Sequence, residues 1–149
     1  MDEVIKLFNK HGVRYLLIGG QAVRFAGMPR FSMDWDFFIP PKDGNNISKI
    51  NTLLEEEFDL PLLPLGEKGQ NFIQTYQTRW GVIQFHLAGP GLPPFNDAEK
   101  RAVIHETESG TQVKCLSGVD LLESKRKAGR PQDQLDIEFL EIKKEAGLL

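Results

Sequence analysis

The stretch Val13-Arg-Tyr-Leu-Leu-Ile-Gly-Gly20 constrains the fold more than any other part of the chain. A short apolar run bounded by Gly12 and Gly19 reads as a buried strand. Gly19-Gly20 then bends the chain into a short helix, about Gln21 to Ala26, which Gly27 and Pro29 end. Met33 to Ile39 reads as a second strand, stopped by Pro40-Pro41. Strand, glycine bend, helix and strand in such quick succession commit this region to a layered arrangement of helices on a sheet.

The rest of the chain extends that pattern. Residues 2–11 predict a helix with Val4, Ile5, Leu7 and Phe8 on one face and Gly12 as its stop. Residues 46–57 predict an amphipathic helix with Ile47, Ile50, Leu54 and Phe58 at helical spacing. A loop follows over 59–70, then two strands, Asn71–Thr78 and Gly81–Leu87, close enough to form a hairpin. A helix near Asp97–Arg101 precedes a second hairpin, Val103–Thr107 with Thr111–Leu116, around Ser109-Gly110. Two helices end the chain. Ser117 and Asp120 are spaced as a capping box for the first. The second starts at Pro131, with Leu135, Phe139 and Ile142 as its expected buried stripe. The fold class is α/β (α+β): a mixed central sheet of about five or six strands flanked by helices, in a single domain over 1–149.

Composition narrows the function classes. The formal net charge is −3, so the chain as a whole does not attract nucleic acid or anionic lipid. Lys125, Arg126, Lys127 and Arg130 form the best candidate for a local basic patch. No apolar run reaches the length of a membrane span, so no membrane partner is expected. The start Met-Asp-Glu-Val-Ile-Lys lacks the basic and apolar regions of a signal peptide. The single cysteine, Cys115, excludes an internal disulfide and reads as core. A cytoplasmic protein is the expectation.

Asp34 and Asp36 carry the chemistry. Residues two apart on a strand point to the same face, so their carboxylates sit side by side. Like charges this close repel. Two readings stand: a solvated pair at a strand end, or a site for a divalent cation, since Mg²⁺ favours one or two carboxylates with waters and substrate phosphates. Gly19-Gly20 likewise reads either as a plain tight turn or as a bend whose bare backbone lets phosphate approach the following helix. Arg30 offers a planar fork to phosphate or to a surface carboxylate. Ser32 lies on the face of Asp34 and Asp36. Trp35 points to the opposite face and reads as core, while Trp80 and Tyr76 are weak candidates for stacking a base.

The pattern Gly-Gly-x-Ala (Gly19 to Ala22), then Arg-x-Ser-x-Asp-x-Asp (Arg30 to Asp36) leading into an apolar strand, resembles the minimal nucleotidyltransferases of the polymerase-beta-like superfamily. Within it, the likeness is to the nucleotidyltransferases of bacterial abortive-infection and toxin–antitoxin systems. Asp120-Leu-Leu-x-x-Lys125, then Gly129-Arg130-x-x-Asp133-x-x-Asp136, is similar to that group's C-terminal tail. The resemblance spans roughly residues 10–140. It implies transfer of a nucleoside monophosphate from a nucleoside triphosphate to an acceptor hydroxyl, with Mg²⁺ or Mn²⁺ as cofactor. The acceptor class stays open: protein, RNA or small molecule. A paired protein partner of toxin–antitoxin type is a further candidate. The resemblance makes Asp34 and Asp36 the metal ligands. Gly19, Gly20, Gln21, Arg30 and Ser32 are assigned to the nucleotide phosphates, with Lys125 and Arg130 near the pocket.

One departure matters. The family places a third carboxylate on a later strand, which here corresponds to Gly81–Leu87 and contains no Asp or Glu. Gln84 and His86 share one of its faces. His86 reads either as a structural histidine or as a catalytic base, its ordinary pKa being near neutrality. Glu106 or Glu108 would supply the missing acid if the strand correspondence were different. A catalytically degenerate domain, binding nucleotide or a protein partner without turnover, is therefore the alternative. His11 and His105 are isolated and read as structural.

Overall fold

The structure is a computed structural model and describes all residues, Met1–Leu149. Helix α1 (Asp2–Lys10) opens the chain, with acids in its first turn, a lysine in its last, and Val4, Ile5 and Phe8 buried. Gly12 takes a left-handed φ of +67° and reverses the chain. Strand β1 (Leu16–Ile18) is buried throughout. It begins later than the expected Val13, because its pairing with β2 starts only at Leu16. Helix α2 (Gly19–Phe25) follows directly. Strand β2 (Trp35–Phe38) runs back antiparallel to β1, with Ile18 opposite Asp36.

Helix α3 (Gly44–Leu53) is capped by the Asp43 side chain, which accepts from the Asn46 amide. The β3 (Ile73–Thr78) and β4 (Gly81–His86) strands form the first expected hairpin. Helix α4 (Phe95–Lys100) leads to the second, β5 (Val103–Glu106) with β6 (Gln112–Cys115). The six strands form one sheet in the order β3-β4-β2-β1-β6-β5. It is mixed: β4 lies parallel to β2, and β6 parallel to β1. The two central strands therefore carry both the glycine bend and the Asp-x-Asp segment. No helix is long and apolar enough to cross a membrane.

Strand alternation sorts the side chains of β2. Phe37 enters an aromatic cluster with Phe8, Tyr15 and Phe85, ring centroids 5.6–6.0 Å apart. Asp36 takes the opposite face. Trp35 packs half-buried against the core, as expected. Cys115 is core as well, and burial pushes its thiol up to about 12.

Helix α5 (Gly118–Ala128) is capped by Ser117, whose hydroxyl accepts from the Asp120 amide. Only this half of the expected capping box forms, because the Asp120 carboxylate pairs with Arg101 instead. A 3-10 turn, Pro131–Asp133, then leads into helix α6 (Gln134–Glu145). The expected stripe of α6 is corrected here: Leu135 and Ile142 are 68% and 67% exposed. The helix is rotated so that Asp136 and Leu140, one turn apart, face inward. The Asp136 carboxylate is on the inner face because two cations, Arg30 and Lys125, meet it there.

Candidate active site

A cleft of about 610 Å³ opens over the β1, β2 and β4 strands and is closed on one side by α5 and the start of α6. It is lined by Gly19, Gly20, Arg30, Ser32, Asp34, Asp36, His86, Lys125 and Arg130, so nearly all the candidate residues converge. Gly19 explains why the bend needs glycine. Its φ is +70°, and a Cβ there would overlap the Asp36 carboxylate. A Cβ on Gly20 would come within 2.7 Å of the Ser32 hydroxyl and 3.1 Å of the Arg30 guanidinium. The two glycines are therefore the surface on which Asp36, Ser32 and Arg30 rest.

Asp36 has one oxygen occupied. His86 Nε2–H donates to Asp36 Oδ1 at 2.8 Å. In the ladder Asp36 lies opposite Gln84, so His86 reaches the carboxylate diagonally, from two residues further along the same face. In the neutral ring this arrangement puts the lone pair on Nδ1. The Asp34 side chain makes no hydrogen bond or ion pair.

The opposite wall is a buried ionic network. Lys125, Asp133 and Asp136 are all nearly inaccessible. Lys125 Nζ lies 3.3 Å from Asp133 and 3.0 Å from Asp136. Asp136 also accepts from Arg30 Nη1 at 2.5 Å, and Asp133 takes Arg130 through two bonds of 2.8 and 3.0 Å. Burial pushes the Asp133 carboxyl up, but Arg130 and Lys125 outweigh it and hold the group below the usual carboxylate range. The paired acid in turn raises the Arg130 guanidinium. Arg30 keeps Nη2 unbonded beside Gly20. In the sequence Asp133 and Asp136 enter only through the likeness of their segment to a family's C-terminal tail, with no role assigned to either. Their three-residue spacing directly after Arg130 was the available signal for more.

Several expectations are corrected by this geometry. Gln21 does not line the cleft; its buried amide donates to the Ser32 carbonyl and accepts from Arg24, which braces the loop from behind. The expected basic patch is largely neutralised: Lys125 and Arg130 pair with acids, and Arg126 pairs with Glu141. Glu106 and Glu108 sit on the β5–β6 hairpin, at the far edge of the sheet, and cannot complete the site. Tyr76 is buried against Phe58, ring centroids 3.8 Å apart, and Trp80 carries Arg79 on its ring; neither lines the cleft. His11 is exposed, and His105 stacks on Phe25.

The donor set fits one Mg²⁺ ion, which needs no more than two protein carboxylates. Asp34 and the second oxygen of Asp36 are available for it. No group of three or more His, Cys, Asp or Glu side chains converges as a metal site.

No protein-family model and no curated protein sequence matches the chain. Among solved structures, the crystal structure of the lincosamide antibiotic adenylyltransferase LnuA, lincomycin-bound, is similar to it. The TM-score is 0.64, with 93% of this chain and 92% of that chain covered. The fold is nucleotidyltransferase-like. At 18% sequence identity the likeness establishes the architecture alone. Within this nucleotidyltransferase-like fold, the glycine bend and the Asp-x-Asp segment meet at the rim shared by β1 and β2.

Proposed function

We propose that the chain is a metal-dependent nucleotidyltransferase, moving a nucleoside monophosphate from a nucleoside triphosphate to an acceptor hydroxyl. One observation carries this reading: the Asp36 carboxylate is seated directly on Gly19, with Arg30 resting on Gly20 beside it. Carboxylates for a cation and a guanidinium for phosphate thus share one cleft on the glycine bend. The adenylyltransferase activity named for LnuA supports the reaction class and makes ATP the first donor to test.

The residues divide the work. Arg30 Nη2 and the Gly19-Gly20 backbone hold the phosphates, and Lys125 with Arg130 offsets the charge of Asp133 and Asp136 on the adjoining wall. Asp34 and Asp36 would hold Mg²⁺ or Mn²⁺, which supplies charge neutralisation of the triphosphate and orients it for in-line displacement. The acceptor oxygen bonds to the α-phosphorus, the bridge to the β-phosphate breaks, and pyrophosphate leaves. The hydroxyl proton passes to His86 Nδ1, since Asp36 holds the other ring nitrogen as a donor.

The test is transfer of label from an α-labelled nucleoside triphosphate to acceptor fractions of protein, RNA and small molecules, with Asp36→Ala as control. Transfer that survives the substitution refutes the assignment.

A second reading has its own support in the third position of the site, where His86 and Gln84 stand instead of an acid. On this reading the domain is degenerate and binds nucleotide without turnover. Calorimetry with ATP, with and without Mg²⁺ or Mn²⁺, separates the two: binding without pyrophosphate release favours it. Absence of nucleotide binding would favour a paired-protein role of toxin–antitoxin type.

A further inference from the structure

Four large apolar side chains line the same cleft yet remain open to solvent: Phe31, Met33, Phe72 and Ile73, at 81%, 74%, 48% and 42% exposure. Phe31 and Met33 flank Ser32 at the mouth. Phe72 and Ile73 stand at the outer strand, and Ile73 lies directly opposite His86 in the β3–β4 ladder. Residues paired this way share a face, so Ile73 is the next side chain beyond His86 across the cleft floor.

The sheet order turns this into a direction. Gly19 follows β1, Asp36 is on β2, His86 on β4 and Ile73 on β3, and the strands are adjacent in that sequence. Phosphate-holding groups lie at one end of the row, and Phe72 and Ile73 at the other. Asp36 and His86 stand between them, where the transfer takes place. A donor nucleotide held by Arg30 and the glycine bend leaves the β3 end for the acceptor.

We infer that the acceptor is a small amphipathic molecule, with a hydroxyl at His86 and an apolar body on Phe72 and Ile73. The inference rests on the nucleotidyltransferase reading of the cleft. Two observations favour a small molecule over a macromolecule. The whole cleft, donor end included, is about 610 Å³, within the ~300–1,000 Å³ of small-molecule sites, so the space left beside a bound nucleotide is of small-molecule size. Of the four cations that would grip an RNA backbone, Lys125, Arg126 and Arg130 are paired with Asp133, Asp136 and Glu141, which leaves Lys127 alone. An apolar wall beside a reacting hydroxyl also gains from burial on binding, which solvent exposure in the free protein does not supply.

The experiment uses n-alkyl glucosides, which present the same hydroxyls on tails of increasing length. Hexyl, heptyl and octyl glucoside, below micellar concentration, are titrated into the full chain holding Mg²⁺ and a non-hydrolysable ATP analogue. Each methylene buried gives about a fourfold gain in affinity, so octyl, with two more than hexyl, should bind about fifteenfold tighter. The Phe72→Ser, Ile73→Thr double variant should flatten this dependence while binding the ATP analogue as wild type does. Both positions are solvent-open, so a matched melting temperature checks that the variant folds. Tail-independent binding, or a dependence that survives the double variant, overturns the inference. So does a loss of analogue binding in the variant, which would give the wall to the nucleobase. Failure of the wild type to bind the analogue at all instead refutes the nucleotidyltransferase reading itself.

Discussion

Arg30, on the loop before β2, and Asp136, on α6, form an ion pair at 2.5 Å although 106 positions separate them in the chain. The same carboxylate takes Lys125 at 3.0 Å. One buried acid thereby ties the C-terminal helices to the glycine bend and fixes the cation that rests on it.

Removing that acid leaves Lys125 buried with only Asp133 and frees Arg30 from its anchor. Asp136→Ala should lower the unfolding free energy by about 3 kcal/mol, the scale for breaking a buried pair. Urea denaturation measures it. A loss below about 1 kcal/mol would mean that the network adds little beyond an exposed pair.

Gly20→Ala separates stability from binding. Alanine favours the α2 helix by about 1 kcal/mol over glycine, which offsets the crowding of Ser32 and Arg30. The variant should melt near wild type. Its nucleotide affinity should drop about tenfold or more, because Arg30 is pushed off its position and charged hydrogen bonds of about 1.5–3 kcal/mol are lost. Unaltered affinity in calorimetry would remove Arg30 from the phosphate site.

Asp36→Asn takes away the central ligand charge while keeping the shape of the side chain. Transfer should fall by ~10²-fold or more. The melting temperature without metal should not drop, since the repulsion with Asp34 is relieved. A variant that retains transfer rates near wild type would move the metal site elsewhere.

His86→Asp restores an acid at the third position. Without metal it sets a second negative charge against Asp36 and should destabilise the fold. Mg²⁺ at a hundredfold excess over its dissociation constant should return about 2.7 kcal/mol, or ~5–11 °C in Tm. The decisive comparison is the metal-induced Tm shift of this variant against wild type by differential scanning calorimetry. An equal shift in both would show that position 86 does not face the metal.

Acid should weaken the fold through Asp133. Its folded pKa lies below the unfolded value of about 3.9, so its contribution is present above that pH and disappears as pH falls through the folded value. The cause is Arg130 and Lys125, which favour the charged form more than burial opposes it. Asp133→Asn should be less stable than wild type at pH 6, and the gap should close below about pH 4. Urea midpoints across that range check it; a gap that widens with acid would reverse the sign.

Much of the arrangement follows from local signals. The bend at Gly19 requires a positive φ, and Pro40-Pro41 ends the strand after it, so strand, bend, helix and strand come out in order. Period-two alternation was enough to place Asp34 and Asp36 on one side and Trp35 on the other. The α6 helix was misjudged for a physical reason. Leu135, Phe139 and Ile142 satisfy helical spacing as well as Asp136 and Leu140 do, and periodicity does not say which face meets the sheet. A buried aspartate is costly on its own, and only the presence of Arg30 and Lys125 across the cleft makes that face the inner one.

The sequence by itself determined the order of elements, the glycine bend and the shared face of the two carboxylates. Each of these depends on backbone preference and side-chain period within a few residues. Tertiary structure decided that Asp36 sits on Gly19, that His86 occupies one of its oxygens, that the basic patch is neutralised, and that Ile73 borders the site. Those are matters of which strands are neighbours and which charges meet. Such pairings join residues far apart in the chain, and local composition carries no record of them.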